Sequence, residues 1–168
     1  MLEPVRMRKG FSVVHGDLGE ATRRSLAYPR GWRGLSACDC VLLSGWLHGV
    51  SWELEEFHTD VRVGCIPGID DVGMDEFTRD QISANHPLRI DAVVKLQGKW
   101  SIAECKPDAG YQALGQVLCY WHWAPICIPV LLGARAVVVT DRVQEALRPV
   151  YERYGVEVIE VPGVLSNR

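Results

Sequence analysis

Between Arg89 and Tyr120 the chain reads RIDAVVKLQGKWSIAECKPDAGYQALGQVLCY, in which two apolar runs, Ile90 to Leu96 and Trp100 to Cys105, are separated by Gln97-Gly98. A two-residue loop ending in Gly between two apolar runs predicts a β-hairpin. With Gln97 and Gly98 as the loop, Leu96 pairs with Lys99, and counting back sets Asp91 opposite Glu104. Side chains alternate along a strand, so Lys106 shares the face of Glu104 while Ala103 and Cys105 point the other way.

The rest of the pattern builds an α/β frame around this hairpin. Asp17 to Ala27 reads as a short helix, broken by Tyr28-Pro29-Arg30-Gly31. A second helix follows from Leu35 to Leu47, with Ser36 as its N-cap. Trp52 to Val63 reads as a long strand, and Gly64 to Pro87 as an acidic, loop-rich segment with a short helix over Asp75 to Ala84. Gly110 to Trp123 has helical spacing, with Gln112, Gln116 and Tyr120 on one face and Leu114, Val117, Leu118 and Trp121 on another. Ala134 to Thr140 is a continuous apolar run, as in a strand buried on both faces. Asp141 then caps a helix through Tyr154, stopped by Gly155, and Val156 to Val161 closes the sheet. A strand, helix, strand unit demands parallel pairing, so the expected sheet is mixed, of four or five strands, and flanked by helices.

Two carboxylates facing each other among Val93, Val94, Ile102 and Ala103 repel in a poorly solvated setting. A divalent cation removes that conflict, and hard oxygen ligands on a rigid hairpin suit Mg²⁺, or Mn²⁺ in its place. Lys106 can then orient or deprotonate a water, or offset charge on a phosphate, so the chemistry indicated is metal-assisted phosphodiester hydrolysis. A bare Asp and a Glu-x-Lys also occur on ordinary exposed hairpins. Here the Glu-x-Lys ends an apolar strand, the Asp falls at the matching cross-strand position, and an amphipathic helix follows.

Ile90-Asp91, then Glu104-Cys105-Lys106, then Gln112 to Tyr120 together resemble the core of the PD-(D/E)xK nuclease superfamily, with its restriction-endonuclease-like fold, including small phage and prokaryotic nuclease-like proteins. The likeness spans about Trp52 to Val161, and Ile90 stands where the family's motif has Pro. The resemblance implies that Asp91 and Glu104 ligate the metal, that the backbone carbonyl of Cys105 is a further ligand, that Lys106 is the catalytic lysine and that Gln116 lies beside the site. In that family the helix before the first core strand often brings another acid. Asp39 is the candidate, followed by Glu20 and Glu53, although an Asp in a first helical turn also serves the helix dipole.

Composition changes this picture little. The 168 residues, 48 % apolar and 23 % charged, suit one soluble domain, and no apolar run has membrane-spanning length. Without a signal-peptide pattern, the expected place is the cytoplasm of a prokaryotic or phage-infected cell. Six cysteines lack C-x-x-C or zinc spacing, which disfavours a zinc site or an iron-sulfur cluster. Charge is uneven: residues 1–34 hold seven basic and three acidic residues, a local +4 that leaves −7 for the remainder of a chain with net charge −3. The division expected is therefore a basic arm or helix over 1–34 and a nuclease-like core over 35–168. Arg6, Arg8 and Lys9, with Arg89 at the core, are candidate DNA contacts, though a solvated tail has the same composition. The partner expected is DNA and no membrane, with a homodimer or a place in a larger nucleic-acid-processing complex both open. Two rival functions are a catalytically inactive module of the same fold that binds DNA or protein, and an α/β enzyme of other chemistry. The second lacks a nucleotide-binding or nucleophile-elbow motif.

Overall fold

The computed structural model describes residues 14–15, 32, 34–51, 53–63 and 88–163. Their strands form one mixed sheet whose spatial order is the chain order, β1 (Val14–His15), β2 (Leu54–Val63), β3 (Leu88–Leu96), β4 (Lys99–Ala109), β5 (Arg135–Val143) and β6 (Val156–Glu160). β1 is a two-residue edge piece, so five full strands carry the sheet. Pairing is antiparallel from β1 to β4 and parallel from β4 to β6. Helix α1 (Ala37–Gly49) covers one face, where Leu42, Leu43, Trp46 and Leu47 pack on Phe57, Val94, Ala103 and Val139. Helix α2 (Tyr111–Cys127) and the short α3 (Arg148–Arg153) cover the other, through Val117 and Tyr151 against Val138 and Tyr120 against Ile102. The expected α/β architecture with a mixed, helix-flanked sheet is present.

The central hairpin forms as its turn dictates. Gln97 and Gly98 both take positive φ, 46° and 73°, the backbone whose twist matches paired strands. The ladder runs in the expected register from Leu96↔Lys99 to Ala92↔Ala103. It ends one pair short of Asp91 and Glu104. From Ser101 to Ala109 β4 is paired with β5 in parallel, so beyond Ala103 it has exchanged its antiparallel partner for a parallel one.

Ser36 caps α1 as expected: its Oγ accepts from Asp39 N at 3.2 Å while Asp39 Oδ2 accepts from Ser36 N, a reciprocal capping box. Several boundaries differ from expectation. α2 continues through Pro125 and ends two residues later, at Cys127. β2 begins at Leu54, and Trp52 lies outside the described residues.

The largest difference follows Thr140. Asp141 does not cap a helix; β5 runs on to Val143, because the parallel ladder continues through Asp108↔Arg142 and Ala109↔Val143 and Val143 is buried. The expected 141–154 helix shrinks to a 3₁₀ turn, Glu145–Leu147, and the six residues of α3. Pro149 explains this, for within a longer helix its ring would collide with the carbonyl four residues back, whereas it is tolerated in the first turn where it lies. The short helix over 17–27 and the helix and loop between 64 and 87 lie outside the described residues.

A further irregularity shapes the end of the sheet. Thr59 pairs with Ala92 and Val61 with Ile90, yet Phe57 and Ala92 belong to the core under α1 whereas Val61 and Ile90 belong to the core under α2. Both strands therefore reverse their pleat at the same point, between Asp60 and Asp91. Asp60 takes φ 56°, a left-handed conformation that Asp tolerates better than most residues.

Candidate metal centre

Asp91 lies where β3 has parted from β4, and its side chain substitutes for the missing ladder bond: Oδ2 accepts from the Cys105 N–H at 2.8 Å. That fixes the carboxylate at the fork between the strands. Glu104 is 1 % exposed, and neither of its oxygens receives a well-directed hydrogen bond. Lys106 Nζ stands 2.8 Å from Glu104 Oε1, an ion pair that is close but not aligned as a hydrogen bond. Such a buried, under-satisfied carboxylate is expensive unless something else binds it.

The electrostatics express that cost. Burial, then the charge of Asp91, raises the Glu104 pKa to about 8, against the pull of Lys106. Asp91 is raised as well, by burial first, with the Cys105 N–H and Lys106 opposing and Asp39 adding to the rise. Burial works against the charge of Lys106, but Glu104, Asp91 and Asp39 outweigh it and hold the ammonium above its ordinary pKa. The neighbouring carboxylates thus favour the ammonium form of Lys106.

The expected set is partly brought together. Asp91, Glu104 and Lys106 meet at the fork. Asp39 serves the α1 capping box, yet its charge reaches Asp91, Cys105 and Cys40, which places the start of α1 beside the fork. Cys105 is fully buried, its side chain in the α1 core and away from Glu104, as the alternation required. Glu53 does not belong: its carbonyl accepts from Gln97 N at the turn end of the hairpin, six residues of strand, or about 20 Å, from Asp91. Glu20, Arg6, Arg8 and Lys9 lie outside the described residues.

Tyr120 was legible only as one member of a polar helix row. It is 4 % exposed and closes the site from α2; burial, followed by the charges of Glu104 and Asp91, raises its pKa and keeps the hydroxyl protonated. Gln116, one turn earlier, donates from Nε2 to Tyr120 Oη at 3.5 Å, while its buried Oε1 has no partner. Gln112 is exposed, so the row turns gradually from solvent into the site.

Among the described residues no three His, Cys, Asp or Glu side chains converge tightly enough to hold a metal alone. Glu104, with no directed donor on either oxygen, and Asp91, whose Oδ2 accepts from the Cys105 N–H, are hard carboxylates that nevertheless fit Mg²⁺ or Mn²⁺, which retain several waters and take few protein ligands. Among the described residues, no helix is long and apolar enough to cross a membrane. No protein-family model, curated protein or solved structure matches this chain.

Proposed function

We propose that the protein is a divalent-metal-dependent nuclease that hydrolyses phosphodiester bonds in DNA. The observation that carries this reading is Glu104, buried beside Asp91 with no directed donor on either oxygen and a lysine ammonium at 2.8 Å. The likeness of Ile90-Asp91 and Glu104-Cys105-Lys106 to the PD-(D/E)xK motif supports the same reading.

Asp91 and Glu104 would hold Mg²⁺ or Mn²⁺, with the Cys105 carbonyl and Asp39 as the further oxygen donors available at the fork. The bound ion supplies a water nucleophile at neutral pH and Lewis-acid polarisation of the phosphate. The chain's own groups do the rest. The Cys105 N–H keeps the Asp91 carboxylate aimed at the fork. Lys106 keeps its proton and sets positive charge where the phosphate oxygens gain negative charge in the transition state. The neutral Tyr120 hydroxyl, oriented by Gln116, remains a donor on the α2 side.

The test is cleavage of linear, nicked, branched and single-stranded DNA, and of RNA, in Mg²⁺, Mn²⁺ and chelator. Metal-dependent cleavage lost in Glu104→Gln supports the reading. Tight DNA binding with no cleavage in any metal would replace it by a non-catalytic binding module of this fold.

A further inference from the structure

Beyond the acidic fork, the outer end of β2 and β3 carries two arginines. Arg62 and Arg89 are directly cross-strand, on one face of the sheet, and Arg89 is two residues from Asp91. Like charges facing each other across strands repel.

Arg89 is held as though its direction mattered. Its Nε donates to Asp60 Oδ1 at 2.8 Å, and its Nη2 donates to the Gly34 carbonyl at 3.1 Å. Both anchors sit in left-handed backbone, Asp60 with φ 56° and Gly34 with φ 83°. A Cβ on Gly34 would stand 2.4 Å from Arg89 Nη2 and 2.7 Å from Asp60 Oδ1, so this position requires glycine. Asp60 is 9 % exposed and the Arg89 side chain 49 % exposed. One edge of a planar five-donor group is thus clamped, while the rest faces solvent. Arg62 is exposed and makes no ion pair with any described residue. Among the described residues Asp60 pairs with Arg89 and not with Arg62.

We infer that Arg89 and Arg62 form a clamp for a backbone phosphate of the nucleic-acid substrate, beside the phosphate that is cut. This rests on the nuclease reading of the fork. Along β3 the Cα atoms of Arg89 and Asp91 are two residues, about 7 Å, apart, on the scale of one nucleotide step; Ile90 faces α2, so Arg89 and Arg62 stand on the α1 side of the sheet, the side from which Asp39 approaches the fork. The fork is acidic, with Asp39, Asp91 and Glu104, and repels a polyanion until cations offset it. A phosphate between the two arginines removes their mutual repulsion and accepts charge-assisted hydrogen bonds from the half of Arg89 that Asp60 leaves open.

The experiment is anisotropy titration of a short labelled DNA duplex and single strand, in chelator so that no cleavage occurs, across a salt series, with full-length protein. Arg62→Ala, which removes an exposed side chain, and Arg89→Ala, checked by its melting curve, should each weaken binding about tenfold. Each should also make the salt slope shallower by about one. Arg89→Lys keeps the charge but cannot span both anchors and should bind between wild type and Arg89→Ala. Mn²⁺ affinity by calorimetry should not change. Unchanged affinity and slope in folded Arg62→Ala and Arg89→Ala would overturn the clamp and leave the hydrolytic reading standing. Wild-type binding without cleavage in any metal overturns hydrolysis while the slopes still decide the clamp. A wild type that binds neither DNA overturns both.

Discussion

Asp91 and Glu104 answer substitution differently, because only Asp91 has a backbone donor. Asp91→Ala leaves the Cys105 N–H without its acceptor and should cost about 1–3 kcal/mol, while Glu104→Gln removes a buried charge and should stabilise the chelated protein at pH 8. The sign follows from proton uptake. The Glu104 pKa is about 8 in the folded chain against 4.5 for the free side chain, so between those values the folded state holds the extra proton. Stability must therefore fall as pH rises through that window, by up to a few kcal/mol, and Asp91 shifts in the same direction. Urea midpoints in chelator at pH 5.5 and 8 measure this, and Glu104→Gln should flatten the difference. A wild-type midpoint that rises with pH would contradict the assignment. The proposed hydrolysis gives Lys106 a part in the chemical step, so Lys106→Ala should slow single-turnover cleavage at saturating Mg²⁺ by a hundredfold or more, roughly 3 kcal/mol, with metal affinity little changed. A rate within about threefold of wild type would remove it from the mechanism. The hairpin register was legible in the sequence because the two-residue turn fixes it as far as Ala92 and Ala103, whereas the direct pairing expected of Asp91 and Glu104 gives way to the parting of the strands, where Asp91 binds the Cys105 N–H instead. The protonated state of Lys106 was not legible, since it depends on which charges crowd around it.

The hairpin turn allows a test of that reasoning at the level of an element. Gln97 takes φ 46° at a position that favours Asn or Gly, so Gln97→Asn should raise stability by about 0.5 kcal/mol and Gln97→Val should lower it by 1 kcal/mol or more, read from denaturation midpoints. The α1 cap and the α2 spacing could be read directly, because Ser36, Asp39 and the apolar positions of α2 act within one or two turns. The pleat reversal at Asp60 and Asp91 could not. Val61 and Val63 alternate as a strand should, but the phase they hold relative to Phe57 depends on one left-handed residue inside an otherwise extended run. The length of β5 was hidden similarly: Asp141 and Gln144 match a helix start, and the competing demand, a parallel partner in Asp108 and Ala109, comes from more than thirty residues away. Arg62 went unnoticed because an exposed arginine in a strand carries no local signal.

For the whole molecule, charge separates the first 34 residues from the rest, +4 against −7. Deleting residues 1–9 removes Arg6, Arg8 and Lys9 against a single acid, Glu3, so DNA affinity should fall and its salt slope should become shallower, as measured in the same anisotropy titration. An unchanged slope would make this segment a solvated tail. The α/β class was readable from the succession of elements, with strands first in hairpin spacing and then separated by helices. The position of the fork required the three-dimensional fact that β4 serves two partners.

The sheet's spatial order, identical to its chain order, also bears on how the molecule comes into being. No strand has to insert between two that have already joined. The hairpin of β3 and β4 closes over a two-residue loop, the least demanding closure in the sheet, and β2 and β5 can then be added at its two open edges, each by a single docking event.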